Sequence, residues 1–150
     1  ASLLCNVRSL LKKMQERVLV GDRVKVVSVD WQDGRGLVGE VIQRKSELLD
    51  PPIANVDQVL LVFAASDPPF DVTQVTRFLV ATEAAGISIT VLLNKCDLLP
   101  EEEVSGLVKQ LGEWGYSAVP ISVYEKLGLD ALEATLQGRI SVLAGPSGVG

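Results

Sequence analysis

The run Ile89-Thr90-Val91-Leu92-Leu93 is apolar and rich in β-branched residues, and it stops abruptly in Asn94-Lys95-Cys96-Asp97. A short continuous apolar run bounded by polar residues reads as a strand buried on both faces, the kind that parallel sheets use. Such a strand needs parallel neighbours and crossover helices, so this one stretch points the chain towards an α/β fold. In open α/β sheets, ligands bind at the carboxyl ends of the strands. A polar cluster at that end is therefore a candidate site.

The surrounding pattern supplies the neighbours. Val59 to Ala64 is a second apolar run. Asp71 with Gln74 has the spacing of a capping box, and Val72, Val75, Phe78, Leu79 and Thr82 then fall on one helical face before Gly86. After the central strand, Pro100 and Glu101 to Glu103 suit a helix N-terminus, with Val104, Leu107, Val108, Leu111 and Trp114 predicted as its buried face. Ala118 to Ile121 is a short strand in which Pro120 interrupts pairing on one side. Leu129, Leu132 and Leu136 mark a third helix, and Arg139 to Ala144 a fourth buried strand. Strand and helix alternate three times before that last strand, which right-handed crossovers convert into a parallel sheet with helices on both faces.

The first third reads differently. Arg8 to Arg17 is polar and basic, Arg23 to Val29 alternates basic and apolar residues, Asp33-Gly34-Arg35-Gly36 is a turn, and Leu37 to Ile42 returns. Short strands joined by glycine turns indicate part of a small β-barrel. Residues 1–47 carry nine Lys/Arg against six Asp/Glu, and residues 48–150 five against thirteen. A basic module joined to an acidic one implies two partners. The expected division is residues 1–47, a linker over 48–56 that holds Pro51-Pro52, and residues 57–150.

Asn94-Lys95-Cys96-Asp97 has a specific chemical meaning. Guanine presents N1–H and an N2 amino group along one edge, and an ionised carboxylate accepts both. Adenine offers an acceptor at N1 and no N2 amino group, so a carboxylate at Asp97 rejects it; an unpaired buried charge costs roughly several kcal/mol. Asn94 can serve O6/N7 or brace a neighbouring loop, and the Lys95 stem can cover a base face while its ammonium stays solvated. Gly145-Pro146-Ser147-Gly148-Val149-Gly150 has the G-x-x-x-x-G spacing of a phosphate loop and follows the fourth strand. Ile121-Ser122-Val123 ends the third strand; in a Ser-Ala-like turn a backbone N–H reaches guanine O6, and Val123 holds the Ala-like place. The plain alternatives are a polar turn, a glycine-rich tail and an ordinary loop. All three motifs sit at strand carboxyl ends, where one crevice can hold them. Their order is inverted: ordinary GTP-binding domains begin with the phosphate loop, whereas here it comes last. A fold with neighbouring termini accepts such a circular permutation.

Composition bounds the chemistry. The chain has no histidine and two cysteines, Cys5 and Cys96, so a His-based triad is excluded and a disulfide framework or closed zinc site within it is not expected. Phosphate chemistry, done by positioning and electrostatics, suits this inventory. No apolar run approaches the ~20 residues of a membrane helix.

On these motifs the chain resembles the RsgA (YjeQ) family, the circularly permuted GTPases of small ribosomal subunit biogenesis. The resemblance rests on Cys5-x-x-Arg8, Val20-Gly21-Asp22, Trp31-x-x-Gly34-x-Gly36, Arg44-x-Ser46 and Ala54-Asn55-Val56-Asp57-Gln58, then on Arg77-Phe78-Leu79, Asn94 to Leu98, and Gly145 to Gly150. It implies a circularly permuted P-loop GTPase domain, its parallel sheet incomplete here, preceded by a partial OB-fold barrel. It further implies GTP/GDP as ligand, with Mg²⁺ held by residues that the family places after Gly150, and zinc only in a C-terminal domain absent from this chain. The implied activity is GTP hydrolysis stimulated by the small ribosomal subunit in late subunit maturation, with catalytic residues outside this chain. The implied partners are that subunit and its rRNA, with Arg35, Arg44 and Lys45 as candidate RNA contacts; a monomer and no membrane are expected. A bacterial cytoplasm or a plastid stroma fits. A chain ending at Gly150 is expected to bind GTP weakly and not to hydrolyse it. Two other classes compete: a non-catalytic OB-type RNA-binding module on a GTPase-like scaffold, and an adenine-nucleotide enzyme. Trp31 reads equally as a core residue or a base-stacking platform.

Overall fold

The computed structural model describes residues 2–9, 17–49 and 51–150; the basic stretch read over residues 10–16 lies outside them. The chain divides into two compact units, Ala1–Asn55 and Val56–Gly150.

In the first unit, β1 (Leu4–Val7) runs parallel to β3 (Arg35–Val41), and β2 (Val24–Asp30) runs antiparallel to β3 on its other side. The β2–β3 hairpin answers the alternation and the glycine turn; β1 carries too little pattern in four residues to be foreseen. The register slips between Val27 and Asp30, where Ser28 takes φ 51°. This bulge turns the strand and leaves Val27 exposed. Gly36 is required at its place: a Cβ there would meet Val26 Cγ1 at 2.5 Å. Trp31 lies in the hairpin turn and is 73% exposed, so it is not core. Part of the stretch expected as a linker forms a hairpin instead, β4 (Glu47–Leu49) with β5 (Pro52–Ala54). Three-residue strands tolerate the tandem prolines at their margin, and Leu48 and Ala54 are buried.

The second unit is a four-stranded parallel sheet in the order β8-β7-β6-β9: β6 (Gln58–Ala64), β7 (Ser88–Asn94), β8 (Ser117–Pro120) and β9 (Ser141–Ala144). Helices α1 (Val72–Glu83), α2 (Glu101–Glu113) and α3 (Leu129–Leu136) make the crossovers. Side chains alternate across the sheet. Leu60, Val62 and Leu92 pack with Leu132 of α3 on one face, while Leu93 packs with Val104, Leu107 and Val108 of α2 on the other. Phe63 meets Phe78 of α1 edge to face, centroids 5.8 Å apart.

The central strands are buried as the apolar runs predict, and four outer residues are not. Asp71 caps α1 through Thr73 N–H (2.8 Å) and Gln74 N–H (3.3 Å), but Val72, in the first turn beyond the sheet, is exposed. Trp114 forms the cap after α2 rather than part of its buried face and is also exposed. The fourth strand is shorter than expected and only half buried; Ile140 and Leu143 face solvent because β9 pairs on one side alone among the described residues. Pro120 sits in β8, whose only partner among them is β7, so its missing N–H costs no ladder bond. No helix among the described residues is long and apolar enough to cross a membrane.

Candidate functional site

β6, β7, β8 and β9 all end at the same side of the sheet, and the three motifs leave from these ends. Asn94, the last residue of β7, is buried and acts in two directions. Its Nδ2 donates to the Val149 carbonyl at 2.8 Å, and its Oδ1 accepts from Val123 N–H at 3.3 Å. One amide thus ties the end of the glycine loop to the turn after β8. Both partners are backbone groups, which is why Val123 serves where a smaller residue was expected.

Lys95 takes a left-handed conformation, φ 59°, which ends the strand and turns the chain into the 3₁₀ turn Cys96–Leu98. Its ammonium donates to the Gly148 carbonyl at 2.7 Å and to the Asp67 carbonyl in the β6–α1 loop. Cys96 donates its thiol to the Leu93 carbonyl at 2.9 Å. Burial pushes that thiol up from its ordinary value against a pull from the Ile121 backbone, and the neighbouring Asp97 charge pushes up as well. Asp97 is exposed and has no hydrogen bond or ion pair among the described residues. Its carboxylate is the acceptor of the cluster that no protein group occupies.

Ser122 is fully buried and pins its own turn: it exchanges backbone bonds with Leu127 (3.0 and 2.9 Å), and its Oγ accepts from Glu125 N–H at 3.0 Å. The serine builds the turn that aims Val123 N–H at Asn94. Gly145 follows β9 so closely against β6 that a Cβ would run into the Val62 carbonyl oxygen. Gly148 has φ 84°, the left-handed region that glycine enters freely, and Val149 is buried under the loop. Pro146 and Ser147 complete the curve, with Ser147 exposed and Pro146 partly buried.

These groups surround a cavity of about 440 Å³ lined by Asn94, Lys95, Asp97, Leu98, Ser122, Val123, Tyr124 and Gly150. A purine base fits a cavity of this class, with a carboxylate and an amide for its polar edge. Tyr124 is the lining residue that the motifs did not flag; an aromatic beside a motif has no spacing rule to reveal it. The described residues contain no group of three or more His, Cys, Asp or Glu placed to hold a metal ion.

The candidate RNA contacts lie in the first unit and part company. Arg35 and Lys45 are exposed. Arg44 is committed within the protein: Nε donates to Asp22 Oδ1 at 2.8 Å, Nη2 to Asp22 Oδ2 at 2.9 Å and Nη1 to Glu47 at 2.8 Å. The Asp22 side chain is 1% exposed, and the Arg44 guanidinium holds its carboxyl below the usual carboxylate range. A guanidinium spent on two carboxylates is a structural clamp, and its fork is engaged within the first unit.

Residues 41–150 match the family model of the RsgA GTPase. The chain is 49% identical over 148 residues to the small ribosomal subunit biogenesis GTPase RsgA 2, mitochondrial, of Arabidopsis thaliana, covering 99% of this chain and 50% of that one. It is 47% identical over 148 residues to the small ribosomal subunit biogenesis GTPase RsgA of Trichormus variabilis, covering 99% and 40%. Among solved structures it resembles YjeQ from Thermotoga maritima, with a TM-score of 0.82 at 32% identity over 99% of this chain and 53% of that one. It also resembles YloQ, described as a circularly permuted GTPase, with a TM-score of 0.76 at 32% identity over 99% and 52%. The chain spans about half the length of the relatives it matches.

Proposed function

This chain belongs to the RsgA GTPase family, and from that premise we propose that the intact protein binds GTP in the cavity around Asn94 and Asp97 and hydrolyses it during small ribosomal subunit biogenesis. The observation that carries the reading is the double role of Asn94, whose one amide holds the base pocket and the glycine loop in register. Asp97, with no protein partner, accepts guanine N1–H and N2–H. Gly145, Pro146, Ser147, Gly148, Val149 and Gly150 begin the phosphate cradle. In this class of chemistry Mg²⁺ neutralises charge on the β- and γ-phosphates; its ligands are expected after Gly150, and nothing in the base pocket depends on it.

The small subunit is the proposed partner and activator. Arg35 and Lys45, on the exposed surface of the basic first unit, are the cations proposed to meet rRNA phosphate. Relatives from Arabidopsis thaliana are named mitochondrial. A mitochondrial setting therefore joins the bacterial cytoplasm as a proposed compartment, and the plastid stroma finds no support in these names. The test is phosphate release from GTP by the full-length protein, with and without purified small subunits. The expected result is slow turnover alone and a rise of about tenfold or more with subunits. Equal turnover of ATP and GTP, or no response to subunits, would overturn the reading.

A further inference from the structure

A guanine base has one hydrogen-bonding edge and two π faces, and covering a face takes apolar surface out of water. Asp97 and Asn94 answer the edge. The Lys95 ammonium is committed to the Gly148 and Asp67 carbonyls, so only its stem is left for the base. The large side chains that remain in the cavity wall are Leu98 and Tyr124, both exposed. Tyr124 is 87% exposed, and its ring and hydroxyl have no partner among the described residues. Its backbone, by contrast, is fixed. It follows Val123, whose N–H is held by Asn94 Oδ1, and it lies inside the turn closed by Ser122 and Leu127. The turn that positions the polar edge of the pocket therefore also carries its one aromatic ring.

We infer that Tyr124 is the stacking platform for the nucleobase, covering a base face beside Leu98 while Asp97 reads the edge. The inference rests on the guanine-binding reading above and adds a residue that sets affinity without setting base choice. Every purine has a π face, so stacking strengthens binding but does not distinguish guanine from adenine. The ring, and not the hydroxyl, does the work.

The experiment uses the full-length protein with GDP and ADP as probes. Tyr124→Phe is expected to bind GDP as the parent does, and Tyr124→Ala about tenfold more weakly, with an unchanged ratio of GDP to ADP affinity. Tyr124→Trp supplies a readout that a merely structural role would not move. Its indole emission, taken as the difference from the parent with Trp31 and Trp114, is expected to be quenched on GDP binding. A Tyr124→Trp protein that binds GDP without quenching overturns the proposal, even if Tyr124→Ala is weakened. So does parental affinity in Tyr124→Ala, or equal weakening in Tyr124→Phe and Tyr124→Ala. A parent that takes ADP as well as GDP fails differently: it removes the guanine reading, while quenching of Tyr124→Trp by either nucleotide still decides the stacking assignment.

Discussion

Asp97 and Arg44 are charged residues with opposite histories. Asp97 stands exposed at a cavity without a protein partner, so changing it alters what the pocket accepts and not how the chain folds. Asp97→Asn in the full-length protein is expected to weaken GTP by about 2–3 kcal/mol and to improve xanthosine triphosphate, whose 2-oxo group suits an amide donor; competition binding measures both. Arg44 is the reverse case. Arg44→Ala leaves the Asp22 carboxylate buried without its cation, with the Leu19 N–H as its remaining donor, and is expected to cost about 3 kcal/mol. The sign of its pH dependence follows from Asp22, whose folded pKa is depressed. That contribution is fully present above the unfolded value of about 3.9 and is lost as pH falls through the lower folded value. Thermal unfolding of parent and variant should therefore differ at pH 7 and converge as pH falls below the depressed folded value of Asp22. Neither role was fully legible in the chain. Asp97 announced itself through a motif, but the partner of Arg44 lies 22 residues away, and no pattern says which cation meets which carboxylate.

At the scale of elements, sequence legibility followed position in the sheet. β6 and β7 are covered on both faces and paired on both edges, so their apolar runs had one reading. β9 carries an equally apolar run, yet Ile140 and Leu143 face solvent, because burial of a strand depends on neighbours that its own residues do not encode. Val72 and Trp114 failed for a related reason: helical periodicity gives a face but not how far the sheet beneath it extends. The β4–β5 hairpin was hidden by prolines that read as a break. The glycine loop was read from spacing alone, and the structure supplies its physical reason at Gly145, which rides on the Val62 carbonyl. Gly145→Ala must push the loop off β6. It is expected to cost about 1–3 kcal/mol of stability and to weaken GDP binding together with it. Normal stability with normal GDP affinity in that variant would show that the loop has room the structure does not indicate.

At the scale of the molecule, the proposed base-recognising turns and the proposed phosphate loop belong to one sheet but to distant parts of the chain. A protein ending at Gly150 holds the first and only the start of the second. Residues 1–150 alone are accordingly expected to bind GTP weakly and to release no phosphate, measured against the full-length protein under the same conditions. The bond from Asn94 to Val149 spans 55 residues and that from Lys95 to Gly148 spans 53. A ribosome adds residues in order, so β6, β7 and β8 emerge with the turns of the base pocket already encoded, while the strand that completes the other flank of β6 comes last. Through that interval the Asn94 amide and the Lys95 ammonium have no loop to hold. The clasp between the two flanks therefore forms only after Gly148 and Val149 have cleared the exit tunnel, so the proposed nucleotide pocket is assembled across the sheet after all four strands have been made.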